Sequence, residues 1–335
     1  MTKNLFKQKI AAAGEYALFA LFSALAGILA FGKGYGFAVT DGIKLWAGVI
    51  LPSLFPYFFI TAALSSLKIT GSLSRRLSPF MRRVFNSGGI TGYAFVLSVA
   101  SGYPVGAKTV ADLKTKGLIS QSEAVRAAAF CSTPSPMFLV SGVGAITFGD
   151  KLFGILLFLC NLSAAVATGF LFSFYKRKDK PTENFTIFPA ADNILFDSVH
   201  SAVTSVLSVG GIVVLFTVFT CVLADLGFFI PLTRFLGLFF KDEYYAEAIA
   251  KGLLECTNGL KILACGEKGF FSLPVAAGIC GFGGTCIIVQ SLGYLKSAKI
   301  KTAPFFLAKI SEAVVSFAVG LALSAAFYWE NGNRL

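Results

Sequence analysis

The chain has 335 residues, 56% of them hydrophobic and only 14% charged, with a mean hydropathy of +0.75, whereas a soluble domain carries roughly 25% charged residues. That balance excludes an ordinary soluble enzyme or binding module and marks an integral membrane protein with the lipid bilayer as its surroundings. The formal charge of +12 does not call for nucleic acid as a partner, because the basic residues are divided among short loops between apolar blocks and form no stripe.

Four runs, 16–31, 152–175, 203–230 and 313–329, approach the roughly 20 apolar residues needed to cross a bilayer as a helix. Lys3, Lys7 and Lys9 precede the first, which reads as an anchor with its N-terminus inside rather than a cleaved signal. A polar turn at 32–41 leads into 42–67, where Pro52 and Pro56 each remove a helical hydrogen bond and predict a kink or break. Segment 69–86 sets Leu73, Leu77, Phe80, Met81 and Val84 at helical spacing among Arg75, Arg76, Arg82 and Arg83, the pattern of an amphipathic helix at the cytoplasmic interface. The apolar dip at 88–99 is short and meets Ser101-Gly102-Tyr103-Pro104-Val105-Gly106-Ala107-Lys108-Thr109, after which the sequence turns polar. It predicts a re-entrant hairpin broken at its tip rather than a full crossing.

Ser120-Gln121-Ser122-Glu123 is a capping box and starts a new helix, which Ser132-Thr133-Pro134-Ser135-Pro136 interrupts before 137–148 resumes. A polar loop at 176–193 divides a single membrane domain into a first half, 1–180, with its break at 101–109, and a second half, 181–335, with its break at 280–291. In the second half, an amphipathic stretch at 194–201 leads into the 203–230 span. Segment 244–263 reads as one helix carrying Glu247, Lys251, Glu255 and Asn258 on one face. Thr302-Ala303-Pro304 signals the start of the last helix. Laying Gly102-Tyr103 over Gly281-Phe282 brings Leu113 over Leu292, the mark of an internal transporter repeat. With inverted halves, Lys296, Lys299 and Lys301 should then face outside, against the positive-inside rule. The expected fold is an all-α polytopic membrane protein of about eight membrane helices, including broken or re-entrant segments, in two pseudo-repeats.

Little in the chain suits acid–base or metal chemistry. Seven cysteines contain no C-x-x-C pair and His200 is the sole histidine, so no metal site, cofactor or enzymatic activity is expected. The candidates for ligand contact lie at the breaks. Gly102, Pro104 and Gly106 expose backbone, and Lys108 with Thr109 could meet an anion there. The competing reading of Lys108 is a lysine snorkelling to phosphate headgroups. Ser132, Thr133 and Ser135 offer hydroxyls at the helix interruption, or merely cap backbone groups freed by the prolines. Gly283, Gly284, Thr285 and Gln290 would line the site from the second half. Glu255 and Asn258 form a polar intramembrane face, and Lys309 with Glu312 either pair at i, i+3 or take part in coupling.

These same residues carry a family resemblance. Pro52-Ser-Leu-Phe-Pro56, Gly102-Tyr-Pro-Val-Gly-Ala-Lys108-Thr109, Gly117-Leu-Ile-Ser120 before Glu123-Ala124, Glu255 ahead of Gly259, and Gly281-Phe-Gly-Gly284 with Gln290-Ser291 together resemble the YlbJ-type sporulation integral membrane proteins. That group falls within the wider nucleoside-recognition, or Gate, domain proteins related to concentrative nucleoside transporters. The resemblance spans about 42–327 and departs from the pattern at Cys131-Ser132-Thr133-Pro134-Ser135-Pro136, where asparagines and serines are expected. It implies a multi-pass protein of the bacterial cytoplasmic membrane, in the mother-cell-derived membrane around the forespore, acting in endospore formation. The implied cargo is dipicolinate, a small planar dianion. A nucleoside or another small metabolite is the alternative, as is a non-transporting scaffold whose glycines serve close helix packing. Homo-oligomerisation is compatible with the sequence and not required by it.

Overall fold

The computed structural model describes residues 35–65, 69–182, 193–240 and 242–331, together with Gly27. The expected first anchor at 16–31, residues 32–34 of the turn after it and the middle of the 176–193 loop lie outside the described residues, and the rest of that expected turn, 35–41, is helical instead. Among the described residues every regular element is helical, as expected of an all-α polytopic membrane protein.

Helix α1 (Tyr35–Leu45) passes through a π-helical turn at Trp46–Ile50 into α2 (Leu51–Ser65) without breaking. The Leu51 N–H donates to the Trp46 carbonyl, five residues back. Pro52, which has no N–H to offer, is thus met by a widened turn and not a break, where the two prolines predict a kink or break. Helix α3 (Ile69–Phe85) is amphipathic as expected: Ser74, Ser78, Met81 and Phe85 are buried while Arg75, Arg76, Arg82 and Arg83 are exposed. The next pair, α4 (Gly89–Ser101) and α5 (Val105–Thr115), is a hairpin that enters and leaves on one side. Helix α6 (Gln121–Phe130) and the π-helical stretch Met137–Thr147 form one interrupted crossing, and α7 (Lys151–Phe172) returns.

The second half repeats this order. Helix α8 (Ile194–Asp225) crosses and starts earlier than 203, the short α9 (Ile230–Leu236) follows, and α10 (Glu243–Gly252) with α11 (Cys256–Cys265) makes a second hairpin. Helices α12 (Ser272–Phe282) and α13 (Gly284–Ser297) form an interrupted crossing, and α14 (Ala303–Asn331) is the last full helix. Among the described residues four helices are long and apolar enough to cross a membrane (Lys151–Phe172, Ile194–Asp225, Ser272–Ser297 and Ala303–Ala326), and shorter apolar helices lie at Leu54–Leu64, Gly89–Ser101 and Met137–Thr147.

Hydrogen bonds between chain ends orient the segments. The Gln121 side chain donates to the Lys299 carbonyl at 3.1 Å, and Arg126 donates to the carbonyls of Tyr175 at 2.9 Å and Lys176 at 3.3 Å. The basic loops after α7 and α13 therefore share one end of the bundle with the start of α6. Lys296, Lys299 and Lys301 thus lie on the same side as Lys176, Arg177, Lys178 and Lys180, and the conflict with the positive-inside rule disappears. That end is cytoplasmic by the same rule. At the other end the Tyr35 hydroxyl donates to Asp225 at 2.8 Å.

Helix α7 consequently runs toward the cytoplasm and α14 away from it, and the first hairpin dips from the cytoplasmic side while the second dips from the opposite one. The halves correspond by inversion, in a register other than the one the glycine motifs suggest. The break after Gly102 matches the tip between α10 and α11, and the break at Gly283 matches the stretch at 131–136. The glycine motifs misled because a hairpin tip and an interrupted crossing both need residues free of a Cβ.

At the cytoplasmic base the predicted capping box is present in full. The Ser120 Oγ accepts the Glu123 N–H at 3.2 Å, and the Glu123 carboxylate takes the N–H groups of Ser120 at 3.4 Å, Gly88 at 2.6 Å and Thr182 at 3.2 Å. Buried Glu123 therefore ties α4, α6 and the inter-half loop together. Ser120→Ala is expected to cost about 1 kcal/mol. Glu123→Ala strands several buried donors and should cost about 3 kcal/mol or more. Thermal unfolding in detergent checks the order, and equal losses would contradict it.

Candidate functional site

The first hairpin tip is built on glycine and docks on the interrupted crossing. Gly102 has φ +81°, and a Cβ there would lie 2.8 Å from the Ser135 backbone nitrogen. Gly106, the second residue of α5, presses directly on the Cys131 carbonyl. The Tyr103–Pro104 bond between α4 and α5 is cis. Because Pro134 and Pro136 carry no N–H, the carbonyls four residues before them, those of Phe130 and Ser132, lack their α-helical donors. The Ser132 carbonyl is taken instead by Lys309 Nζ at 2.7 Å. The Ser135 hydroxyl accepts the Phe138 N–H at 3.2 Å, a local cap.

The second hairpin tip is stitched by backbone. The Leu253 carbonyl accepts both the N–H of Thr285 at 2.8 Å and its hydroxyl at 2.9 Å, and the Leu254 carbonyl accepts the Cys286 N–H at 3.0 Å. Gly283 and Gly284 have φ of +80° and +78°, and a Cβ on Gly284 would stand 3.0 Å from the Cys256 nitrogen. Thr285 therefore spends its hydroxyl on the tip. Segment 244–263 is not one helix: Glu255 caps α11, accepting the N–H groups of Thr257 at 3.1 Å and Asn258 at 2.8 Å and the Thr257 hydroxyl. The expected continuous face of Glu247, Lys251, Glu255 and Asn258 is therefore divided, with Glu247 paired to Lys251 at 2.6 Å on α10.

Where the tips meet, a cavity of about 70 Å³ is lined by Gly102, Tyr103, Ser135, Glu255, Thr257 and Gln290 among apolar neighbours. Two larger cavities lie beside it along α8. One of about 290 Å³ shares Val209 and Gln290 with it. That cavity in turn shares Pro104 and Tyr294 with a third, of about 300 Å³, which holds Lys108, Thr109, Asp112, Asp197, Ser198, Ser201 and Ser205. From Asp197 to Val213 the lining of α8 descends about 24 Å at 1.5 Å per residue, most of the roughly 30 Å hydrocarbon depth. Shared lining residues thus set the three cavities side by side between the cytoplasmic end and the tips.

Lys108 lines the third of these cavities. Its Nζ donates to Ser205 Oγ at 2.9 Å and Ser201 Oγ at 3.1 Å. The Thr109 hydroxyl donates to the Val105 carbonyl at 2.9 Å. The structure therefore divides the expected site: Lys108 and Thr109 line the cytoplasmic cavity, Ser135 lines the central one, and Pro104 and Gln290 stand at the junctions. Buried side-chain atoms without a protein partner gather around the tips, among them Gln290 Oε1, Ser132 Oγ, Thr133 Oγ1, Ser98 Oγ and Glu312 Oε1. Each such atom costs about 1–3 kcal/mol if left dry, so the region suits water or a polar guest. Ser201, Ser205 and Tyr294 were not expected. The spacing of Asp197, Ser201 and Ser205 at four-residue steps holds the missed signal.

Two inverted sets of a hairpin, an interrupted crossing and a full helix, with polar cavities at their meeting point, define a polytopic membrane protein of the broken-helix class. The chain is 30% identical over 303 residues to the sporulation integral membrane protein YlbJ of Bacillus subtilis (strain 168), a match covering 83% of this chain and 74% of that one. It belongs to the YlbJ family of sporulation integral membrane proteins. No family model matches the chain, and no solved structure matches it.

Proposed function

We propose that the protein transports a small organic anion, dipicolinate or a close analogue, across the membrane around the forespore during endospore formation, by alternating access between its two inverted halves, and is not an enzyme. The observation that carries this reading is the series of cavities from Lys108 to the two hairpin tips. At about 300 Å³ the Lys108 cavity reaches the lower end of ligand pockets, roughly 300–1,000 Å³. A lysine with two serine hydroxyls there offers a carboxylate charge-assisted hydrogen bonds. The central cavity of about 70 Å³ has room for about two waters at roughly 30 Å³ each. Passage of an anion therefore requires the tips to part, which is the motion alternating access supplies.

Kinship with the nucleoside-recognition group is part of this proposal, and a nucleoside is the nearest alternative cargo. Uptake of labelled dipicolinate and of labelled nucleosides into proteoliposomes holding the full chain distinguishes them. Dipicolinate uptake above protein-free vesicles is expected. Nucleoside uptake alone replaces the cargo, and uptake of neither leaves the scaffold reading in its place.

A further inference from the structure

Carbonyl oxygens released by broken helices hold monovalent metal ions in many transport proteins, often with a carboxylate. The interruption at 131–136 contains such an oxygen, the Ser132 carbonyl, whose α-helical donor would be the N–H that Pro136 lacks. A carboxylate, Glu312, stands by the same place on α14. Between them lies the ammonium of Lys309, which donates to the Ser132 carbonyl at 2.7 Å and pairs with Glu312. It also stands 5.6 Å from the centre of the Tyr103 ring, within reach of a cation–π attraction. Lys309 is 0% and Glu312 2% exposed.

The surroundings favour a cation over a simple salt bridge. A pair that served only itself would leave the Ser132 carbonyl orphaned, and a lysine that served only the carbonyl would leave a buried carboxylate without counter-charge. One ammonium meets both needs. Glu312 Oε1 has no protein partner, so the carboxylate keeps capacity for a further positive ligand. A compact ammonium on a flexible stem resembles a small metal ion in charge and reach, as a planar guanidinium does not.

We propose that Lys309 is a built-in cation: its ammonium fills, between the Ser132 carbonyl and the Glu312 carboxylate, the place that sodium or another monovalent metal ion would otherwise occupy. A cation tethered to α14 cannot leave with the cargo. The closed interruption therefore needs no dissolved sodium, and a sodium gradient cannot drive transport through this position. The inference deepens the transport reading and rests on it for that last consequence, but ion binding is read without any cargo.

The test uses the purified full chain in detergent, melted in sodium, potassium and choline chloride at equal ionic strength. A bound ion raises the melting temperature as its concentration exceeds its dissociation constant. The wild type is expected to melt alike in all three. Lys309→Ser should melt lower in choline and regain several degrees in sodium or potassium, and adding Glu312→Gln should remove that gain. Sodium-specific stabilisation of the wild type, or no cation-specific gain in Lys309→Ser, overturns the proposal. Should Lys309→Ser not fold, equilibrium dialysis of radioactive sodium against the wild type decides: stoichiometric binding overturns the proposal, and its absence upholds it.

Discussion

Lys108→Ala is expected to cut dipicolinate uptake about 100-fold while leaving the protein folded. Truncating one partner of a desolvated charge pair costs about 2–5 kcal/mol, and every 1.4 kcal/mol is about tenfold, so a loss near 3 kcal/mol gives that factor. Folding is spared because the hydroxyls left behind keep other partners: Ser205 Oγ also donates to the Ser201 carbonyl at 2.7 Å, and the cavity of about 300 Å³ admits water. Lys108→Arg should retain part of the flux, since the charge remains while its geometry changes. Asp112→Asn, one turn nearer the cytoplasm on α5, should raise the initial rate by removing like charge from the path of a dianion. Initial rates in proteoliposomes, normalised to folded protein, read all three. Undiminished flux in Lys108→Ala would remove this lysine from the pathway.

The second large effect is on the fold. Gly106→Ala sets a methyl group against the Cys131 carbonyl and the Ser98 hydroxyl, and a backbone oxygen cannot swing aside as a side chain can. Overpacking of this kind costs about 1–3 kcal/mol, and the displaced hairpin also loses its contact with the interruption. Gly102→Ala adds the penalty of a positive-φ extended conformation that is essentially reserved for glycine (φ +81°, ψ −179°), about 1–3 kcal/mol, to its contact with the Ser135 nitrogen. Gly293→Ala is the contrast, because nothing lies within 4 Å of its added methyl and alanine favours the interior of α13 by about 0.5–1 kcal/mol. Melting temperatures should therefore fall for Gly106 and Gly102 and hold or rise for Gly293. A Gly106→Ala protein as stable as its parent would mean that the hairpin does not dock on the interruption.

Where local chemistry decides the backbone, the sequence was readable. Ser120 and Glu123 form their capping box because both partners lie within one turn. The 131–136 interruption follows from two prolines, and the first hairpin from an apolar run too short to cross. The tip at Leu253–Glu255 was not readable, since it contains neither glycine nor proline. Its carbonyls are satisfied by Thr285 and Cys286, about thirty residues away, and without that distant partner a continuous helix is the natural expectation. The inverted correspondence was missed for a related reason: glycine motifs report a local need for space and carry no direction. The side on which Lys296, Lys299 and Lys301 lie became clear only through the contact between Gln121 and the Lys299 carbonyl.

Of the candidate residues, those with a single chemical use were easiest to anticipate. Glycines at a tip can do little else, whereas hydroxyls serve either a ligand or the backbone. Thr285 and Thr109 turned out to bond backbone carbonyls, while Ser132 Oγ and Thr133 Oγ1 bond nothing in the protein. The polar row on α8 escaped notice because its serines belong to a helix whose overall character is strongly apolar, and three hydroxyls scarcely alter that average.

The two halves are alike in path but not in fastening. The Leu253 and Leu254 carbonyls are held by main-chain amides in the first turn of α13, which have no partner within that helix. The Ser132 carbonyl is held by the end of a four-carbon side chain, which can rotate away while α14 stays whole. One fastening therefore joins main chain to main chain, while the other ends in a side chain that can change rotamer without moving its helix.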